Sequence, residues 1–342
     1  MKALIIEKDY SRSVKEIPDP KINECMALVK TKVCGICGSD MKILHGVLKG
    51  TPPEMYPLVI GHEAVGEVVE VGAACTSYKI GDIVSLPFNF GIEGYGSAWG
   101  SMAEYGVVFD RAAWNVGKYG PPPGVSLVQT IVPDWMDPID ASMFNTLREP
   151  LGTMREFKLD ANESIVIYGM GAIGLSFVKF ASLFGLRPII AVDIFDNKLE
   201  EAKAQGADFT VRADDPDRIK KIKEICPGGV QNVLDAVGLT SIYNEAMHLL
   251  VDHGKLCCFG VPGVTNANID WTPAHYNWTM IFHLMIRKEN EYWAHPQLLS
   301  MVKNGAVNLK DYISDYFPFS DILSVMDRFE KKEFQKKVLI TF

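Results

Sequence analysis

Hydrophobic and polar positions change their rhythm twice along the chain. In LVIGHEAVGEVVEVG (Leu58–Gly72) apolar and polar residues alternate, with Gly61, Gly66 and Gly72 as breaks, a pattern that predicts short, bent strands. YKIGDIVSLPF (Tyr78–Phe88) predicts a turn followed by a strand. The Gly- and Pro-rich connections FGIEGYGSAWG and YGPPPG come next, so residues 1 to about 150 read as strand-rich. From 152 to 287 the rhythm is different. Short, wholly apolar runs (SIVIY at 164–168, PIIAVD at 188–193, then DFTV, VQNVLDAV and KLCCFG) alternate with helix-period stretches near 172–184, 197–205, 216–225 and 241–251. That alternation predicts a parallel sheet with helices on both faces. The remaining residues offer a helix near 295–303, DYISDYFPF and a strand at KVLITF. They are too few for a domain of their own, so they are expected to dock onto the first part, leaving the α/β part as an insertion.

One motif sits where the second rhythm begins. GMGAIG supplies Gly169, Gly171 and Gly174 around Ala172 and Ile173, after a predicted strand and at the opening of a predicted helix. Asp193 ends the next strand. In that context G-x-G-x-x-G binds a dinucleotide: a tight turn, close approach of the backbone to a pyrophosphate, and close helix–strand packing. An aspartate at position 193 accepts hydrogen bonds from both ribose hydroxyls and repels a 2′-phosphate, which favours NAD(H) over NADP(H). The strand end GVPG (Gly260–Gly263) is expected to place backbone groups, those of Gly260 and Val261, beside the nicotinamide, and Val237 is a further expected cofactor contact.

Composition narrows the partners. The chain has 342 residues, 48% of them hydrophobic and 22% charged, and a formal charge of −8 with no basic block, which argues against nucleic acid. MKALIIEKDY is not a leader peptide and no run of about 18 apolar residues occurs. A cytoplasmic protein with no membrane partner is expected. The seven cysteines form no regular framework, so thiols or metal ligands are expected rather than disulfides.

The two cysteines of VCGICGSD, Cys34 and Cys37, pose a separate question. A zinc ribbon needs a second C-x-x-C, and none exists. A thioredoxin-like pair belongs beside a βαβ unit, and this one lies in the strand-rich part. A dispersed metal site remains, with His62 and Glu63 in GHE and Glu149 in REPLG as further donors. Thiolate, imidazole and carboxylate are ligands that zinc takes, and catalytic zinc keeps a position open.

CGICGSD, GHEAVGEVVEVG, GSMAEY, REPLG, GMGAIG, AVDIFDNKLEEAKAQGAD and KKVLITF follow one another in the order of the zinc-dependent medium-chain dehydrogenases, which the chain resembles over nearly its whole length. The glutamate of REPLG resembles the polyol (sorbitol) and threonine dehydrogenase branch. The resemblance implies a Rossmann doubly wound parallel sheet (152–287) inserted in a strand-rich GroES-like catalytic domain (1–151 and 288–342). It implies Cys37, His62 and Glu149 as zinc ligands, and Glu63 beside the metal, exchanging with water or a ligand. By the same resemblance Ser39 is expected to take the alcohol proton, Lys198 to lie near the adenosine and Lys337 near the pyrophosphate, with Cys34 structural. The resemblance also implies hydride transfer between a secondary alcohol and NAD. A homodimer or homotetramer is implied as well.

Three departures stand out. Residues 88 to 105 hold no cysteine, so the structural zinc of many relatives is not expected, leaving one catalytic ion per chain. Lys42 occupies the place of a proton-relay histidine, with His45 nearby but shifted. Trp135, Met136, Met143 and Phe144 precede REPLG and fit either core packing or an apolar part of a substrate pocket. The substrate expected first is a polyol or sugar-derived alcohol. Threonine, butanediol or bulky steroid-like alcohols would use the same site, given Tyr95, Trp99, Trp135 and Phe144. Two competing readings are a zinc-free quinone or enone reductase and a non-catalytic NAD-binding redox sensor.

Overall fold

The computed structural model describes residues 1–264 and 266–342 and divides them into two compact units. The first comprises 1–146 and 308–342, the second 147–307.

The first unit is built from strands. β1 (Lys2–Ile6), β2 (Arg12–Glu16), β3 (Met26–Ile36), β4 (Leu58–Val59), β5 (Ala64–Val71), β6 (Ile83–Ser85), β7 (Gly96–Ser97) and β8 (Tyr105–Phe109) come from the N-terminal part. α1 (Gly38–Leu44) follows β3 and α2 (Val116–Tyr119) comes after β8; α3 (Asp140–Glu156) begins in this unit and from Leu147 belongs to the second. The alternation read at Leu58–Gly72 is β4 and β5, with the loop holding His62 and Glu63 between them. β3 is the axis: it pairs antiparallel with β5 and β8, and with the returning C-terminal strand.

In the second unit β9 (Ile165–Tyr168), α4 (Ala172–Leu183), β10 (Ile189–Asp193), α5 (Asp196–Gln205), β11 (Phe209–Arg212), α6 (Arg218–Ile225), β12 (Val230–Asp235), α7 (Ser241–Leu249), β13 (Leu250–Cys258), β14 (Trp278–Phe282) and α8 (Lys288–Lys303) alternate. The strands form one parallel sheet in the order β11-β10-β9-β12-β13-β14. That is the doubly wound order, with its switch point between β9 and β12, where such sheets bind ligands. β9 and β10 are buried at every residue, which explains their unbroken apolar sequence. After α8 the chain returns to the first unit as β15 (Ile313–Pro318), α9 (Ile322–Glu330) and β16 (Lys337–Thr341); β16 pairs with β3.

Two features differ from expectation. α3 occupies a stretch read as strand-rich and then as a boundary, because Pro150 and Gly152 in REPLG look like breaks. Met143, Leu147, Leu151 and Met154 nevertheless recur at helical spacing and are buried, and their packing outweighs the backbone hydrogen bond that Pro150 forgoes. The units also exchange at 307/308 rather than near 287/288. α8 stays with the second unit because Asn290 Nδ2 donates to Glu156 Oε1 at 2.7 Å and Gly152 lies against Ile286 and Asn290. Among the described residues no helix is long and apolar enough to cross a membrane.

Gly174 shows how tightly α4 seats on its strand: a Cβ there would lie 1.6 Å from the Gly169 carbonyl oxygen. Gly174→Ala is expected to lower stability by about 1–3 kcal/mol or more, read from the urea unfolding midpoint.

Candidate metal and cofactor sites

The segment from β3 to α1 puts Cys37 just before a helix. Asp40, three residues on and fully buried, turns back so that its Oδ2 accepts from the Cys37 backbone N–H at 2.8 Å. Its other oxygen, Oδ1, faces His62 Nδ1 at 3.4 Å, too long and misaligned for a formed hydrogen bond. The β4–β5 loop brings His62 and Glu63 to the same place. One donor atom each from Cys37, His62 and Glu63 lies within 4.8 Å of the others, the one such group of three among the described residues.

The geometry and the donor chemistry fit a metal ion. Glu63 Oε1 accepts from Lys337 Nζ at 2.8 Å, while Oε2 is buried with no hydrogen-bond partner. A buried carboxylate oxygen without a donor is costly, and a cation beside it removes the cost. Gly35 leaves the room: a Cβ there would lie 2.3 Å from Glu63 Oε2. His62 presents Nδ1 to Asp40, which leaves Nε2 for a ligand role, the usual arrangement of a metal-binding imidazole with a carboxylate behind it. Ser39 Oγ lies 3.3 Å from that Nε2. The Trp99 ring sits 5.1 Å from the imidazole, centroid to centroid.

Burial opposes a charge on His62, yet Asp40 and Cys37 outweigh it and raise the imidazole pKa well above its usual value. Burial likewise opposes the Lys337 ammonium, but the Glu63 carboxylate and Cys37 raise its pKa. Cys34, three residues before Cys37, is fully buried; desolvation pushes its thiol pKa well up, so it remains a neutral core side chain.

Lys337, expected by the pyrophosphate, is buried in the first unit against Glu63. Its position on β16, which pairs with β3, accounts for this. His45, a relay candidate, caps the C-terminal end of α1, is 54% exposed and faces Glu330 Oε1 at 3.1 Å, a direction set by α9 and not by the Cys37–His62 group. Lys42 is half-buried on α1, and desolvation lowers its pKa. Met136, Met143 and Phe144 are core residues, whereas Trp135 is exposed.

Glu149 lies on α3 in the second unit. Its neighbour Arg148 is fully buried, with Nη2 3.5 Å from Glu291 Oε1 and Nη1 3.3 Å from His295 Nδ1. Lys288 Nζ holds the other Glu291 oxygen at 2.6 Å. Burial, then the Arg148 charge, lowers the His295 pKa to about 4.

At the β9–α4 turn, Gly169 has φ +91° and Gly171 has open space where a Cβ would stand. No side chain caps α4. This is a cradle at a helix N-terminus with room for a phosphate, and it fits a dinucleotide. Ala172 and Ile173 form the first turn of α4. Asp193 is held at the end of β10, with Oδ2 accepting from Met170 N at 2.6 Å and Oδ1 from Phe195 N at 3.0 Å. Lys198 Nζ lies 5.3 Å from the Phe195 ring centre. Across the switch point, the backbone N–H groups of Val237 and Gly238 both donate to Asp235 Oδ1. Gly260 packs so close to that turn that a Cβ would lie 2.1 Å from Gly238 N, and Val261 follows it at the end of β13.

Asp40 and Asp235 were not singled out in the sequence. The C-x-x-D spacing, matching a helix cap, is the signal that could have found Asp40.

Residues 23–118 match the alcohol dehydrogenase GroES-like domain, and residues 172–301 match the zinc-binding dehydrogenase family. An uncharacterized zinc-type alcohol dehydrogenase-like protein of Haemophilus influenzae is 32% identical over 77% of either chain. L-threonine 3-dehydrogenase of Bacillus velezensis is 29% identical over 99% of both chains. Sorbitol dehydrogenase of Bacillus subtilis is 25% identical over 96% of this chain and 93% of its own.

Lys337→Met should cost about 3–5 kcal/mol in urea unfolding with chelator present, because it strands a buried carboxylate; adding Glu63→Gln should recover part of that. His295 binds its proton more weakly folded than unfolded. Stability should therefore fall by about 2–3 kcal/mol as pH drops from about 6.5 to about 4, and His295→Gln should flatten that slope in unfolding curves.

Proposed function

The chain belongs to the zinc-binding alcohol dehydrogenase family, oxidoreductases acting on CH–OH groups, and on that footing we propose that it oxidises a secondary alcohol with NAD as the hydride acceptor. The observation that carries this reading is the group Cys37, His62 and Glu63 with the Ser39 hydroxyl 3.3 Å from His62 Nε2. When bound, zinc supplies Lewis acidity to an alcohol oxygen and NAD supplies the acceptor carbon for hydride.

The protein's own residues do the rest. Cys37, His62 and Glu63 would hold the metal; Asp40 holds the Cys37 backbone N–H and sets a negative charge beside the imidazole. Lys337 occupies one oxygen of Glu63, so that a single oxygen remains for the metal. Ser39 Oγ accepts the alcohol proton. Lys42 stands one helical turn further along α1, where its lowered pKa suits an onward proton carrier. Trp99 forms an apolar wall beside His62 and limits water there. In the second unit, the Gly169–Gly174 turn takes the pyrophosphate and Asp193 the ribose hydroxyls, and Gly260 and Val261 flank the nicotinamide. One zinc per chain is the expected content.

The substrate class follows from what two relatives' names share. Sorbitol and threonine both carry a secondary hydroxyl beside a carbon bearing another heteroatom. We place this protein's substrate in that class, a polyol or sugar-derived alcohol first and threonine second.

Elemental analysis should find about one zinc per chain. NAD⁺ reduction across polyols, diols, threonine and hydroxysteroids should single out one class. Cys37→Ala and His62→Ala should each lose the metal and lower turnover by ~10³-fold. Full NAD-linked turnover in the double variant would refute the reading.

A further inference from the structure

Asp193 is one reason for the cofactor preference proposed above, and the neighbouring strand supplies another. Arg212, the last residue of β11, stands in register with Asp193 on β10. Both lie at the carboxyl ends of adjacent parallel strands, the edge on which doubly wound sheets hold the adenosine ribose. An arginine at that edge is the residue type best suited to a phosphate dianion, since its planar fork pairs with two oxygens at once.

Here the fork is occupied. Arg212 Nη1 donates to Asp196 Oδ1 at 2.8 Å. Nε and Nη2 donate to the two oxygens of Asp214 at 2.8 and 2.7 Å. Asp196 opens α5 and Asp214 follows β11, so the guanidinium is gripped from two elements. All three side chains are exposed. Pairs of this kind contribute little to stability in water, so folding alone does not explain them. Their effect on a ligand is larger. Asp193 adds a third carboxylate at the same edge, so a 2′-phosphate brought there meets net negative charge. The nearby Lys198 ammonium rests over the Phe195 ring.

We propose that Asp196 and Asp214 are specificity-determining residues: by occupying Arg212 they keep the adenosine end of the site closed to a 2′-phosphate, and without them Arg212 becomes a phosphate ligand. This rests on the NAD reading of the glycine turn and names the residues that enforce it.

Binding, not turnover, tests it. The dissociation constants of NAD⁺, NADP⁺ and 2′,5′-ADP are measured by calorimetry for the full-length protein and three variants. These are Asp193→Ser, the triple variant Asp193→Ser/Asp196→Asn/Asp214→Asn, and that triple variant with Arg212→Ala added. The wild type should bind NAD⁺ and discriminate strongly against NADP⁺. The triple variant should bind 2′,5′-ADP roughly tenfold or more tightly than Asp193→Ser does, a charge-assisted bidentate gain that weakens with salt and disappears with Arg212→Ala. No gain over Asp193→Ser, or a gain that survives Arg212→Ala, overturns the proposal while NAD⁺ binding by the wild type leaves the cofactor reading standing. A wild type that binds no dinucleotide, or binds NADP⁺ as tightly as NAD⁺, overturns both.

Discussion

The first unit is organised around a buried ion pair between residues 274 positions apart. Lys337 on β16 meets Glu63 at 2.8 Å, and neither side chain is more than 8% exposed. Such pairs are poor sources of net stability, because desolvating two charges costs about as much as their attraction returns. What this one provides is geometry. It engages one carboxylate oxygen and leaves the other beside Cys37 and His62. Gly35 on β3 opens the space, and the pairing of β16 with β3, Leu339 opposite Gly35, delivers the lysine. Sheet register, a missing Cβ and a buried charge are thus a single arrangement.

The second unit uses buried charge differently. Arg148, Glu291 and Lys288 tie α3 to α8, and Glu156, the last residue of α3, collects Asn290, His283 and the Arg287 backbone. Each partner has only a few geometries that satisfy it, so the network fixes the register of two helices that both carry an internal proline. Pro150 and Pro296 each weaken local helix bonding, and the cross-helix polar contacts compensate.

Legibility in the sequence followed the range of the interaction. The glycine turn could be read because its chemistry needs fixed spacing between a strand and a helix, and the whole βαβ rhythm lies within local windows. α3 was hidden because Pro150 and Gly152 signal breaks to any local reading, while the buried positions that overrule them depend on tertiary packing. The Lys337–Glu63 pair was out of reach for the same reason, since nothing near either residue announces the other. His45 was named by its nearness to Lys42 in sequence, whereas a helix terminus points its side chain by the cap geometry, and here that is toward Glu330 on α9. Asp40 was within reach from its spacing to Cys37 alone.

The same long separation bears on how the molecule matures. Bringing β16 back to β3 closes a loop that contains all of the second unit, and such closure is entropically costly for an open chain. A second unit that condensed first would shorten the open chain between the two strands and lower that cost. A metal ion held by Cys37, His62 and Glu63, as proposed, would then act as a final checkpoint. Only a molecule in which both halves of the first unit have met around the insertion offers Glu63 in its compensated form, and an ion that binds this form and no other shifts the whole population toward it.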